Sequence, residues 1–173
     1  MKGCEAFMAN VKDIATFLMQ LDNEGVFDDT TLMESNGRKF YVGRARLNKY
    51  LHLAQNIYYA KTSELLFQEP LYAYDNGGVV EVVRENYEML LKTKTTKTVL
   101  LSDDIKVFLK KLFIVLKNAD INKLIELSHE DPEWIEKNRF YNKPDQIMNT
   151  TGRLQDYKVL YADIIQLMDG MTV

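Results

Sequence analysis

The chain has 173 residues, of which 46% are hydrophobic and 27% are charged, and its formal net charge is −3. These values are ordinary for a soluble globular protein, and they fit a single domain, residues 1–173, that buries a hydrophobic core. The slight negative charge excludes a global attraction to nucleic acid or to anionic membranes. The one cysteine, Cys4, excludes an intramolecular disulfide framework and is typical of a reducing cytosol.

The N-terminal region does not have the pattern of a signal peptide or a membrane anchor. Lys12, Asp13 and Gln20 interrupt its apolar residues. Nowhere does the chain reach the roughly twenty apolar residues that a membrane-spanning helix needs. The sequence therefore predicts a cytoplasmic protein that does not bind membranes.

The first predicted helix covers residues 10–21. Asn10 is a suitable N-cap, and Asp13 lies in the first turn, where a carboxylate favours the helix dipole. An apolar stripe at helical spacing follows, made of Val11, Ile14, Phe17, Leu18 and Leu21.

Residues 22–45 form an insert in which acidic residues precede basic ones. Asn36-Gly37 lies between the two blocks, and this dipeptide favours a two-residue hairpin turn, so a small β-hairpin is predicted near residues 31–43. In one interpretation the opposed charges neutralise each other across the strands. In the other, a basic strip contacts an acidic partner or phosphates; its residues are Arg38, Lys39, Arg44 and Arg46.

A central helix is predicted from Leu47 to about Lys61. Leu47, Leu51, Ala54 and Tyr58 recur at spacings of three and four, which places them on one face of a helix. Leu53 lies off that face and is also apolar. A helix that is apolar most of the way round is expected in the middle of a domain.

The rest of the chain is also predicted to be mostly helical. Asp75-Asn76-Gly77-Gly78 predicts a tight turn, and a helix is expected from Val79 through Leu91. Further helices are expected after the N-caps Ser102, Asp120 and Asp131, and the last from about Thr151 to Met168. The predicted fold is therefore mainly α, a single-domain bundle of about six to seven helices with one small β-hairpin.

The sequence shows little that points to catalysis. His52 lies off the apolar stripe and is expected to be a partly exposed structural residue, and His129 is expected to bond a helix end. No zinc, nucleophile-elbow or phosphate-loop motif is present, although Gly77-Gly78 precedes a predicted helix. Glu81, Glu85 and Glu88 share a helix face, which is either a solvated face or a divalent-ion site. The sequence predicts a protein that is not an enzyme, without catalytic, cofactor-binding or metal-binding residues.

Three segments carry a family resemblance. They read Lys49-Tyr50-Leu51-His52-Leu53-Ala54-Gln55, Leu66-Phe67-Gln68-Glu69-Pro70, and Ala73-Tyr74-Asp75-Asn76-Gly77-Gly78-Val79-Val80. A fourth, Leu127 to Trp134, contains His129. In this order and spacing the segments resemble the SocA/GepA-like phage-associated family, also called the Panacea antitoxin domain. The motif positions are Lys49, Leu51, Ala54, Gln55, Phe67, Gly77, Gly78, Val79, Val80, His129 and Trp134.

The resemblance implies the antitoxin of a toxin–antitoxin pair on a prophage or other mobile element. Such a protein neutralises a toxin by direct binding or by delivery to a protease, and the family motif is structural or an interaction surface, with no catalytic residue. The resemblance does not identify the toxin. The alternative is a nucleic-acid-binding or regulatory phage-associated protein that uses the basic residues of 38–49, although no basic recognition helix supports it.

Overall fold

The structure is a computed structural model that describes residues 8–35 and 37–173; Cys4 and Asn36 lie outside these ranges. Within them the protein has nine α-helices and two antiparallel sheets of two strands each. The mainly α prediction is confirmed. In chain order the elements are α1 (Val11–Leu21), β1 (Leu32–Ser35), β2 (Arg38–Tyr41), α2 (Val42–Thr62), β3 (Tyr72–Tyr74), β4 (Gly77–Val79), α3 (Glu81–Glu85), α4 (Tyr87–Thr93), α5 (Asp103–Leu116), α6 (Ile121–His129), α7 (Pro132–Lys137), α8 (Leu154–Leu160) and α9 (Ala162–Asp169).

Helix α2 is the predicted central helix, and 15 of its 21 residues are buried. It begins at Val42 and not at Leu47, so the last residues of the predicted insert belong to the helix. It packs against α5, α6, α8 and β4. At its start, Gly43 donates a backbone hydrogen bond of 2.8 Å to Asp29. A Cβ at Gly43 would lie 2.4 Å from the Phe27 carbonyl oxygen, so only glycine allows the preceding insert to fold back so closely.

The predicted hairpin is confirmed as the pair β1 and β2. The strands are antiparallel, with Leu32 opposite Tyr41 and Glu34 opposite Lys39. Gly37 in the turn has a φ of +75°, which glycine adopts without strain. Helix α2 begins directly after β2, so the insert is anchored to the central helix.

A second hairpin, β3 and β4, was not predicted. The two glycines expected in a tight turn lie instead in β4, where Gly78 is opposite Ala73 and Gly77 is opposite Tyr74. The backbone N–H groups of Gly78 and Val80 donate to side chains of α2. Because these bonds hold the chain extended, the next helix begins at Glu81 and not at Val79.

Two predicted helices are each divided, which explains the higher helix count. The segment 79–91 is interrupted at Asn86, whose side-chain amide donates to the Val82 carbonyl at 2.6 Å and so competes with the helical ladder. The last helix is interrupted at Tyr161, between α8 and α9.

The predicted N-caps are confirmed. The side chains of Asn10, Ser102, Asp120 and Asp131 each accept a hydrogen bond from a backbone N–H in the first turn of the following helix. Among the described residues, no helix combines the length and the apolar character needed to cross a membrane.

Candidate functional site

The polar side chains of α2 face β4 and α7, and they belong to two neighbouring clusters. The first cluster is centred on Asp131, the N-cap of α7, and we call it the Asp131 network. His52 and Asn56 each contact Asp131 Oδ2 at 2.7 Å. The Tyr157 hydroxyl and the backbone N–H of Glu133 each donate to Oδ1 at 2.8 Å. One carboxylate thus joins α2, α7 and α8.

The hydrogen bonds determine the protonation of the His52 ring. Its Nδ1 accepts a hydrogen bond of 3.1 Å from the backbone N–H of Gly78. Because an imidazolium has donors at both nitrogens, this acceptor role requires the neutral ring with its proton on Nε2. That proton is donated to Asp131, so each ring nitrogen has a partner.

The Asp131 network is closed to solvent, since His52, Asn56, Asp131 and Tyr157 each have 0% relative exposure. Burial would raise the pKa of Asp131, but the hydrogen bonds from His52, Tyr157 and Asn56 hold that pKa below its usual value. A carboxylate and a histidine without access to a substrate form a framework, and we assign these residues to stability.

The second cluster is centred on Lys49, one helical turn before His52. Lys49 is buried, with a relative exposure of 2%. Within residues 8–35 and 37–173, no side chain or backbone group accepts a hydrogen bond from its amine. Burial lowers the pKa of Lys49 to about 7, so the amine is poised between its neutral and charged forms at neutral pH.

The two glycines of β4 are required by these α2 side chains. A Cβ on Gly77 would lie 3.0 Å from Lys49 Nζ and 2.8 Å from Ser128 Cβ, and the φ of Gly77 is +122°. A Cβ on Gly78 would lie 2.9 Å from the His52 ring. Glycine therefore allows β4 to lie directly on Lys49 and His52.

Lys49 lines a cavity of about 500 Å³, which we call the cationic pocket. The pocket lies between β2, the start of α2, the β3–β4 turn, α3 and the segment after α7. One acidic residue, Asp75, lines it together with six basic residues: Arg38, Lys39, Arg44, Lys49, Arg84 and Lys143.

Only two of the six cations have a carboxylate partner. Arg38 pairs with Asp75 at 2.8 Å, and Lys143 pairs with Glu81 at 2.8 Å. In the described part of the chain, the other four form no ion pair: Lys39, Arg44, Lys49 and Arg84. The pocket therefore carries an excess of positive charge on a chain whose net charge is negative.

Aromatic side chains form part of the pocket wall. Phe40, Tyr74 and Tyr141 line it, and Tyr141 is fully exposed at its rim. The Arg84 guanidinium lies 5.8 Å from the centre of the Tyr74 ring. Cations and aromatic rings together can bind a planar or anionic group.

The predicted basic strip is only partly brought together. Arg38, Lys39 and Arg44 line the cationic pocket. Arg46 points elsewhere, because its guanidinium donates to the Ala119 carbonyl at 2.6 Å and so holds the loop between α5 and α6 to α2. The other interpretation of the insert was that opposed charges neutralise each other across the strands of the hairpin. Glu34 is opposite Lys39 in this way, whereas Arg38 forms its ion pair with Asp75 of the β3–β4 hairpin.

Most of the residues on which the resemblance depends hold the fold together. The Gln55 amide donates to the Phe67 carbonyl at 2.7 Å and accepts from the Leu66 N–H at 2.7 Å, so it fixes the segment after α2 as a neighbouring strand would. The Trp134 indole donates to the Tyr74 carbonyl at 2.6 Å. Three further motif residues, Leu51, Ala54 and Val80, belong to the hydrophobic core, whereas Val79 lines the cationic pocket.

Both histidine predictions need correction. His52 was expected to be partly exposed, and it is fully buried because β4 covers it. His129 was expected to bond a helix end, but its ring stacks on Trp134 at 3.8 Å and has a hydrogen bond with the backbone of Asp75. Burial, together with the nearby charge of Lys49, lowers the pKa of His129.

Sequence reasoning did not find several pocket residues. Arg84, Tyr141 and Lys143 come from segments that no local pattern connects to the basic strip. Glu81, predicted as part of a carboxylate row, is half-buried and contacts Lys143 and the Tyr74 hydroxyl, whereas Glu85 and Glu88 are exposed. Within the described ranges, no three His, Cys, Asp or Glu side chains are close enough together to hold a metal ion.

Comparison of the chain with protein-family models, with curated proteins and with solved structures found no match.

Proposed function

We propose that this protein is a cytoplasmic, non-enzymatic binding module, the antitoxin of a toxin–antitoxin pair, and that it binds an acidic surface of its toxin through the cationic pocket. The observation that carries the proposal is the group of four cations without an ion-pair partner in the described chain. The antitoxin role itself comes from the resemblance of the segments between residues 46 and 135 to the Panacea domain.

The chemistry of the pocket rim suits a protein partner. Arginine and tyrosine are enriched at the energetic centres of protein interfaces, and the rim presents Arg44, Arg84 and the exposed Tyr141. Complementary charge speeds association and selects the partner. An acidic patch on the toxin would supply the carboxylates that these cations lack.

The test is co-expression with the products of the neighbouring genes, scored by pull-down and by host growth. We expect one neighbour to arrest growth alone, to co-purify with this protein, and to lose its toxicity when both are present. The double substitution Arg44→Glu and Arg84→Glu should abolish both the complex and the rescue. A matched control, Lys92→Glu with Lys123→Glu, makes the same change in net charge at exposed lysines outside the pocket and should leave both intact.

Two results would count against the proposal. If no neighbouring product is toxic or bound, the antitoxin role fails. If a complex forms and both double variants behave alike, the toxin binds another surface. The nucleic-acid alternative has its own signature, which is retention of nucleic acid by the purified protein with affinity that falls steeply with salt.

A further inference from the structure

We propose that the cationic pocket also binds the phosphoryl group of a small molecule, and that Lys49, at its floor, takes up a proton when the anion enters. This inference goes beyond the proposed function, because it concerns a small ligand and not the toxin. It is carried by the position of Lys49, a buried amine without an acceptor in the described chain that lines an open cavity.

The geometry of the pocket fits an anion that brings several acceptor oxygens. A phosphoryl group has three such oxygens and can be bound by Arg and Lys side chains on several sides at once. The cavity of about 500 Å³ lies within the usual size range of small-molecule sites, which extends from roughly 300 to 1,000 Å³. A nucleoside phosphate would use both the cations and the aromatic wall, since bases stack on aromatic rings.

The electrostatic surroundings of Lys49 explain why it would bind a proton together with the anion. Burial lowers the pKa of its amine to about 7, so a large fraction is neutral in the empty pocket near pH 7. A bound dianion favours the ammonium form and raises that pKa. By linkage, the anion binds more tightly at lower pH, and each binding event takes up part of a proton between about pH 7 and pH 9.

Other groups face Lys49, and several are titratable. His129 lies close enough to Lys49 for the two charges to interact, but its pKa is lowered from its usual value and so lies further from the pH values of the test. The remaining titratable or charged groups that line the pocket are Arg38 and Lys39 on β2, Arg44 on α2, Tyr74 and Asp75 on the β3–β4 hairpin, Arg84 on α3, and Tyr141 and Lys143 after α7, and His52 lies one turn along α2 from Lys49.

The experiment is calorimetric titration of the full-length protein with inorganic pyrophosphate at low ionic strength, at pH 6.5 and pH 8.5. Sulfate serves as a second probe, because it does not titrate in this range and any proton taken up must go to the protein. We expect the affinity for sulfate, whose own charge does not change, to fall about tenfold between these pH values. Repeating each titration in two buffers of different ionisation enthalpy measures that proton directly.

Three variants attribute the effect to Lys49. Lys49→Met should bind pyrophosphate at least tenfold more weakly. For Lys49→Met, and for Lys49→Arg, which is charged at all these pH values, the affinity for sulfate should not depend on pH. The matched control Lys92→Met changes an exposed lysine of α4 and should behave as the wild type. Thermal melting of each variant checks that it is folded.

The carrier of the phosphoryl group is identified by a third probe, ADP. Tighter binding of ADP than of pyrophosphate would assign the pocket to a nucleoside phosphate, and equal binding would assign it to the phosphoryl group alone. The proposal is overturned if neither anion binds at millimolar concentration, or if Lys49→Met keeps the affinity and pH dependence of the wild type. Neither outcome bears on whether a toxin co-purifies, so the two proposals fail separately.

Discussion

The Asp131 network and the cationic pocket lie side by side on α2, and they differ in whether the buried charged group of each, Asp131 or Lys49, has partners. In the network, all four groups that contact the Asp131 carboxylate are donors, and both oxygens are used. One turn earlier, Lys49 is also buried, but its amine has no acceptor within the described chain. Buried cationic side chains in folded proteins are normally paired with an anion, so one that lines a cavity without a counter-ion indicates a binding site.

This difference separates framework residues from candidate functional residues in a chain with few catalytic residue types. His52 and Asp131 are a pair that could suggest acid–base chemistry, but their closure and complete hydrogen bonding indicate stability. Lys49 costs stability because it is buried without a counter-ion. Residues that weaken a fold and line a cavity are candidates for function.

The largest expected effect is on stability, from Asp131→Asn. The new side-chain NH₂ would face donors, because every group that contacts the carboxylate donates to it, and His52 or Tyr157 would lose its acceptor. We expect the free energy of unfolding to fall by about 3–5 kcal/mol, measured by urea denaturation. Asp120→Asn is the matched control, since Asp120 is an exposed N-cap with one such bond and Asn caps helices equally well. Equal losses in the two variants would contradict the network.

The next largest effect is expected at β4, which covers both clusters. Gly77→Ala places a Cβ against Ser128 and Lys49 at a φ of +122°, so strain and overlap add, and we expect a loss of about 2–3 kcal/mol. Gly37→Ala is the control, because Gly37 also has a positive φ but open space around it, and it should cost only about 1 kcal/mol. Thermal melting compares the two, and a smaller loss at Gly77 than at Gly37 would contradict the close approach of β4 to α2.

The pH dependence of stability should distinguish the two clusters, because each contributes in its own pH range. The pKa of Asp131 is below its usual value, so its contribution is complete above about pH 4 and is lost as the pH falls through the lowered pKa. The pKa of Lys49 is also lowered, so here too the unfolded chain binds the extra proton, and stability rises with pH between about pH 7 and pH 10. Unfolding free energies measured across both ranges check this. A profile that is flat above pH 7 would contradict a buried, unpaired Lys49.

The smallest effect on stability is expected at the rim of the cationic pocket. Arg44 is half-buried and Arg84 is exposed, and neither forms an ion pair among the described residues. The double change to Glu should therefore alter the unfolding free energy by no more than about 0.5 kcal/mol per site, while it removes partner binding. Melting of the purified variant beside the wild type checks that lost binding is not lost folding.

The elements that sequence analysis predicted correctly are those with local signals. Helix α2 was predicted from its apolar spacing, and the helix starts at Ser102, Asp120 and Asp131 were predicted from capping residues. The first hairpin followed from Asn36-Gly37. Each of these signals lies within a few residues of the structure that it specifies.

The candidate site could not be predicted in the same way, because its residues meet only in the folded chain. The N-cap role of Asp131 was visible, but its contact with His52 joins positions 79 residues apart. The glycines of β4 were read as a turn, since nothing local shows that their N–H groups bond to α2 side chains. Similarly, Arg84 and Lys143 join Arg44 only through the β3–β4 hairpin and the segment after α7.

The most direct test of the contrast between the two clusters is one paired measurement on Lys49→Met, its melting temperature and its affinity for pyrophosphate at pH 6.5. Replacing a buried, unpaired amine with an apolar side chain of similar length should stabilise the fold by about 2 kcal/mol. We therefore expect a variant that melts at a higher temperature than the wild type and binds the anion at least tenfold more weakly. A variant that melts lower, or binds as well as the wild type, would show that Lys49 is part of the framework and that the pocket is not built around it.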